Sequence, residues 1–320
     1  MAFNPLNMKI VFLDTNTVGK LSELDELKKF GEVIFYPFTN YEEAAAKINA
    51  AEIIITNKVV IDRKIIETSP MLKLICVAAT GMNNIDLACA QEKKIVVKNA
   101  KGYSTDSVAQ LSFGLILNLL NHISFYDSYV KSGKYSSGKI FTNLSREIIQ
   151  IKGKTIGIIG LGAIGQRVAE IAKVFGASVI YYSASGKNNN RSYRKVTLEE
   201  LLSTSDIISI HAPLNDLTRN LIGYEQLGKM KRTALLINAG RGGIVPETDL
   251  ARALDENLIA AAAIDVYEQE PIPVSNPLLK IKNPEKIILT PHIAWSALEA
   301  RQELLRQVIG HIKDYKKHSV

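Results

Sequence analysis

From Met8 onward the chain alternates short apolar runs with segments whose apolar residues recur at helical spacing. The runs MKIVFLD (8–14), EVIFY (32–36), EIIIT (52–56), LKLICVA (72–78) and KIVVKN (94–99) read as buried strands. Between them, 22–30, 41–49, 62–68 and 86–92 read as helices. Strands alternating with helices imply βαβ units and a parallel sheet, so residues 8 to about 100 are expected to form a first α/β domain. No glycine fingerprint follows its first strand, which places dinucleotide binding elsewhere in the chain.

A long apolar stretch, Ser104 to about Val130, is helix-compatible, and Ser104 or Thr105 could cap it. It is expected to cross between domains or to pack on a partner subunit. After the polar segment 132–143 a second α/β series begins at 154–177, KTIGIIGLGAIGQRVAEIAKVFGA. An apolar strand there turns on Gly160, Gly162 and Gly165 and runs into a helix carrying Ile164, Val168, Ile171, Ala172 and Phe175. In such a turn the first glycine permits the sharp bend and the second lets a pyrophosphate approach. The third lets helix and strand pack closely. The helix N-terminus offers unpaired N–H groups to an anion.

The later strands are SVIYY, DIISIHAP, TALLINAGRGGIV, IAAAAIDVYEQEP and KIILTPHIAW, with helices expected from Thr197, over 247–256, and from Ala297 to about Tyr315. His211, Arg241, Asp265, Glu270 and His292 all fall at or just beyond the carboxyl ends of these strands, where open α/β sheets bind ligands. His211 faces the expected cofactor as a wall residue. At the end of SVIYY an acid would hold a ribose 2′-OH, but this chain has Ser183, followed by Ser185, Lys187 and Arg191. The loop could tolerate or bind a 2′-phosphate, or be a polar surface turn, so cofactor choice between NAD and NADP stays open. In the first half the loop 78–86, AATGMNNID, reads equally as an anion cradle or a plain turn.

Length and composition narrow this picture little. The 320 residues suit about two domains, and 47% hydrophobic with 22% charged residues is ordinary for a globular chain. No apolar run is long enough to cross a membrane, and MAFNPLNMKI lacks a signal peptide's basic start and apolar core. Cys76 and Cys89 show no metal-ligand spacing and are expected as buried thiols in a reducing cytoplasm. The net charge of +7 is scattered among acids, so neither nucleic acid nor membrane is expected as a partner and no metal is called for.

Arg241, Glu270 and His292 together match one chemical task. A guanidinium holds a carboxylate bidentately, a histidine passes a proton near neutral pH, and a carboxylate orients that histidine and favours its charged form. With a nicotinamide to carry hydride, the set suits reduction of a 2-keto acid or oxidation of a 2-hydroxy acid.

The motifs GLGAIG (160–165), HAPLNDLTRNLI (211–222), INAGRGGIV (237–245), DVYEQEP (265–271) and TPHIAW (290–295) resemble those of the D-isomer-specific 2-hydroxyacid dehydrogenase family, nearest to its glycerate dehydrogenase (hydroxypyruvate reductase) members. ATGMNNID and KGYSTDSVAQ add weaker support. The resemblance implies two Rossmann-like, doubly wound parallel-sheet domains with a cofactor cleft between them. Residues 1–102 plus 293–320 would bind substrate, and 103–292 would be the dinucleotide-binding insert. It also implies a homodimer joined through the cofactor domains.

The resemblance further implies site roles. Arg241 would bind the substrate carboxylate, and His292 would exchange the proton, its proton affinity raised by Glu270. Gly160, Leu161, Gly162, Ala163, Ile164 and Gly165 would cradle the pyrophosphate. Ser183, Ala212, Pro213, Thr218 and Thr105 would line the cofactor site, with Ala239 and Asp265 at the nicotinamide end. Ala79, Thr80, Gly81 and Trp295 would contact substrate. The implied substrates are hydroxypyruvate, glyoxylate or a related short keto acid, with D-lactate-type turnover as an alternative. A corepressor-like, cofactor-sensing binding protein is the rival from another class, and the short tails favour the enzyme.

Overall fold

Twelve strands, each parallel to its neighbours, carry the described residues Met8 to His318 in a computed structural model. They form two sheets, one in each of two compact units. One unit comprises the described residues up to Ser104 together with those from Ser296 on, and the other is Thr105–Trp295.

In the first unit the elements are β1 (Lys9–Phe12), α1 (Glu23–Glu26), β2 (Glu32–Phe35), α2 (Tyr41–Ile48), β3 (Ile53–Thr56), α3 (Arg63–Glu67), β4 (Leu74–Val77), α4 (Leu87–Glu92) and β5 (Val96–Asn99). The C-terminal helix Leu298–His318 completes it. The sheet order is β2-β1-β3-β4-β5, so the winding direction reverses between β1 and β3. β3 and β4 are buried at every position, as expected for strands covered on both faces. The short helices start on side-chain caps: Asp62 accepts from Ile65 N and Asp86 from Cys89 N.

The second unit opens with α5 (Thr105–Asn121) and α6 (Ile123–Lys131). The single helix expected over Ser104 to Val130 is therefore two, bent by 61° at His122, whose backbone is left-handed (φ 50°). The cause is local. Asn118 Oδ1 accepts from Ser124 N and Asn121 Nδ2 donates to Leu117 O, so side chains capture backbone groups that a continuing helix would use. No single described helix is long and apolar enough to cross a membrane; the bent pair passes by length and composition only, and much of α5 is buried in the unit's core.

The unit continues with β6 (Thr155–Ile159), α7 (Ala163–Val174), β7 (Ser178–Tyr182), β8 (Arg194–Lys195), α8 (Leu198–Thr204), β9 (Ile207–Ile210), α9 (Tyr224–Gly228), β10 (Leu235–Asn238), α10 (Glu247–Asp255), β11 (Ala261–Ile264) and β12 (Ile287–Leu289). The order is β12-β11-β10-β9-β6-β7-β8, reversing between β6 and β9. Alternate residues of one strand feed two cores. Leu236 packs with Ile208, Leu250 and Leu254 on one face, whereas Leu235 and Ile237 pack with Ile116, Ile158 and Val168 on the other. Each fully buried side chain of this kind contributes roughly 1.5–3 kcal/mol. β8 has no counterpart among the expected strands: two exposed basic residues carry no apolar signal, and only pairing with β7 makes them a strand. Cys76 and Cys89 are free, and burial pushes the Cys76 thiol up to about 12, which leaves it inert at neutral pH.

Candidate active site

The turn after β6 sits where the sheet reverses. Gly160 has φ +91°, and a Cβ there would lie 2.6 Å from the Ala212 backbone N after β9. A Cβ on Gly165 would lie 2.3 Å from Gly160 O, so α7 packs on the strand only because that atom is missing. At Gly162 nothing lies within 4 Å of a Cβ, and this residue and Ala163 are exposed. No side chain caps α7, so its first N–H groups face open space. An open, cationic-ended cradle bordered by bare backbone fits a dinucleotide pyrophosphate.

Three further turns follow along the same sheet edge. Asn238, buried at the end of β10, shapes the first. Its Oδ1 accepts from Gly240 N at 3.1 Å and its Nδ2 donates to Arg241 O at 3.0 Å. Arg241 is held outward at the tip, one guanidinium N–H on Gly240 O at 2.8 Å, and it forms no ion pair among the described residues. The next residue, Gly242, lies so close to Tyr267 that a Cβ would sit 1.9 Å from its carbonyl oxygen. The Arg241 turn is thereby pressed against the turn after β11. There Glu270 accepts from Tyr267 N at 3.1 Å through Oε1, and its Oε2 lies 2.7 Å from His292 Nδ1. A carboxylate only accepts, so the proton between them belongs to Nδ1 and Nε2 is left for a ligand. The two side chains remain 30% and 25% exposed, which lets a small molecule reach them. The Glu270–Pro271 peptide is cis and His292 has φ 53°.

Asp265 is buried beneath this loop. Its Oδ1 accepts from Thr290 Oγ1 at 2.6 Å and Ile293 N at 2.9 Å, and its Oδ2 accepts from Ala294 N at 2.9 Å. Burial raises its carboxyl above the usual range, against the pull of those donors. The expectation that Asp265 meets the nicotinamide changes accordingly: both oxygens are spent on the 290–294 loop, so the residue holds His292 in place. Thr218 is likewise buried, donating to Pro213 O at 2.6 Å and accepting from Asn215 N at 2.8 Å, and its hydroxyl shapes its own loop instead of lining a site.

The remaining expected residues fall in two places. Ala239 packs with Val108 of α5 and with Ala294, and half-buried Ile164 and Trp295 lie against them, an apolar wall next to the Arg241 turn. Ala212 and Pro213 border the glycine turn, Ser183 follows β7, and Thr105 opens α5. His211, expected to face a cofactor, has Nε2 2.8 Å from Ser209 Oγ and a buried Nδ1 without a partner; burial pushes its imidazole down to about 4. In the first unit the Ala79 and Thr80 carbonyls accept from Ala100 N and Asn99 Nδ2, while the N–H groups of Ala79, Thr80 and Gly81 donate no hydrogen bond among the described residues.

The family profile described as D-isomer specific 2-hydroxyacid dehydrogenase, NAD binding domain, matches residues 113–294. The chain belongs to that family. This 2-hydroxyacid dehydrogenase is 38% identical over 320 residues to the hydroxypyruvate reductase of Blautia hydrogenotrophica, covering 98% of both chains. It is 37% identical over 314 residues to the glycerate dehydrogenase of Methylorubrum extorquens, covering 97% of this chain and 96% of the relative. Among solved structures it resembles an acyclic imino acid reductase in complex with NADPH and D-Arg, with TM-score 0.86, 31% identity and coverage of 97% and 98%. The expected fold, family and NAD(P) cofactor class all hold.

Sequence reasoning missed three supports of this dehydrogenase's site: Asn238, the anchoring function of Asp265, and Asn188, whose Nδ2 donates to Leu161 O at 2.6 Å inside the glycine turn. The first two could have been suspected as polar residues ending apolar strands. Asn188, in a polar loop 27 positions from its partner, carried no signal.

Proposed function

We propose that this dehydrogenase reduces a short 2-keto acid, hydroxypyruvate or glyoxylate, to the D-2-hydroxy acid. One observation carries the reading: the Glu270–His292 pair at 2.7 Å lies on a turn pressed against the turn that presents Arg241. Arg241 holds the substrate carboxylate with its planar fork, which a single point charge does not reproduce. His292 Nε2 gives a proton to the substrate oxygen during reduction and takes it back during oxidation, because Nδ1 is committed to Glu270. Asp265 keeps the loop from moving as the proton leaves. Bound at the glycine turn, the nicotinamide supplies the hydride. The Ala79–Gly81 amides are further candidates for carboxylate contacts, and Trp295 for an apolar contact to substrate. Glycerate dehydrogenase and hydroxypyruvate reductase relatives support the choice of keto acid.

The same reading gives a homodimer. Ile123, Val130, Ile140, Phe141, Leu144 and Ile148 stand exposed in the second unit, an apolar run that a second copy would cover. It also places the enzyme in the cytoplasm, consistent with two free, buried thiols. A panel of 2-keto acids with NADH and NADPH, followed by nicotinamide absorbance, tests the activity: turnover of hydroxypyruvate or glyoxylate is expected, and oxidation of neither D-glycerate nor glycolate would refute it. Sedimentation at twice the chain mass is expected for the dimer, and a monomer at micromolar concentration would refute that part.

A further inference from the structure

We infer that the loop Ser183 to Lys195 is a built 2′-phosphate site and that this enzyme prefers NADPH to NADH. The inference rests on the dinucleotide reading of the glycine turn.

Position comes first. β7 lies beside β6, with Ile159 opposite Tyr182, and Gly160 N donates to Tyr182 O at 3.0 Å. A dinucleotide whose pyrophosphate meets the turn at 160–165 therefore directs its adenosine ribose to the end of β7, at Ser183. An acid there accepts from a 2′-OH and repels a 2′-phosphate, whereas a serine hydroxyl donates to either. From Ser183 to Lys195 there is no acid, and there are four cations.

Those cations are not equivalent. Arg194 pairs with Glu200, and Lys195 Nζ donates inward to Gly186 O at 2.8 Å and Asn189 Oδ1 at 3.0 Å. Lys187 and Arg191 are exposed and form no ion pair among the described residues. Two positive charges therefore remain for a group carrying about −1.5 to −2.

The loop that carries them is held at both ends of the putative contact by internal bonds. Asn188 Nδ2 donates to Leu161 O at 2.6 Å, Asn190 Nδ2 donates to Gln166 Oε1 at 3.4 Å, and Tyr181 Oη donates to the carbonyls of Asn188 and Asn190, each at 3.3 Å. A surface turn has no need to be tied to the pyrophosphate turn and to α7. A phosphate site does, because ordering the loop beforehand lowers the entropy lost on binding. Asn188 is thus a positioning residue, and Ser183, Lys187 and Arg191 are the contacts.

Calorimetry on the full chain with NADPH, NADH, 2′,5′-ADP and 5′-AMP tests the inference without turnover. NADPH should bind at least about tenfold tighter than NADH, as two charge-assisted contacts imply, and the gap should narrow with salt. Lys187→Ala with Arg191→Ala should weaken NADPH and 2′,5′-ADP and leave NADH within about twofold. Ser183→Asp should reverse the preference, and Asn188→Ala should weaken NADPH more than NADH. Equal affinities in the unaltered protein, or an equal loss of both cofactors in the double variant, would overturn the phosphate site alone. Binding of neither cofactor by folded protein would overturn the dinucleotide reading and this inference with it.

Discussion

In the first unit the turn after β1 carries Asp14, whose carboxylate accepts from Asn57 N at 2.9 Å and Lys58 N at 2.7 Å at the end of β3. In the second unit the turn after β6 carries three glycines, and no side chain caps the helix that follows. Both turns lie where their sheet reverses direction, between β1 and β3 in one case and β6 and β9 in the other. That is where strand ends splay and backbone N–H groups point outward, so each crevice favours an anion. The first unit supplies the anion from its own chain and fills the crevice. The second leaves the position open for a ligand, which is why two sheets of one design are not two nucleotide sites.

The comparison can be broken most severely at the chemical edge of the second unit. His292→Ala should lower kcat by on the order of 10²–10⁴ while cofactor Kd, measured by calorimetry, stays within about twofold of the parent's; parallel loss of both would remove His292 from its assigned role. Next is the open turn itself. Gly165→Val puts a side chain where a Cβ is already 2.3 Å from Gly160 O, so cofactor affinity should fall by about 100-fold or more as the cradle shifts. An unchanged Kd would show that the close approach is dispensable.

Asp14→Ala sharpens the contrast from the other side. It strands two buried N–H groups and should cost about 1–3 kcal/mol in urea unfolding, with cofactor affinity unaltered because the first crevice holds none. A drop in cofactor affinity without loss of stability would contradict the plug. The smallest effect is expected at His211, beside the open turn. Burial lowers its folded value to about 4 from 6.5, so as pH falls below 6.5 the unfolded chain takes up the proton first. Its stabilisation is complete above 6.5 and is lost progressively down to about 4, about 2 kcal/mol in all after discounting for the partly exposed ring. His211→Gln should flatten that acid limb in thermal unfolding, and an unchanged limb would assign it to other groups.

Particular residues show how far reading the chain could go. The strands of both sheets were visible because burial on two faces makes them continuous apolar runs, as at Ile53–Thr56 and Leu235–Asn238. Gly160, Gly162 and Gly165 were readable for a related reason: their use depends on a missing side chain, and an absence at fixed spacing survives in one dimension. Arg241, Glu270 and His292 were readable as strand-end residues, although their mutual placement was not. The break at His122 was hidden because Asn118 and Asn121 stop a helix only through bonds that form once α5 is packed. Asp14 and Asp265 looked like ordinary strand-end acids.

The chain by itself determined the alternation of strands and helices, the position of the glycine turn and the identity of the reactive groups, because each of these follows from local spacing and side-chain chemistry. Tertiary structure alone decided which acids would be spent internally. Asp14 reaches across 43 positions to Asn57 and Asp265 across 28 to Ile293, and Asn188 reaches 27 back to Leu161. Each of those choices depends on which backbone donors or acceptors folding brings within about 3 Å, a distance that has no counterpart along the chain.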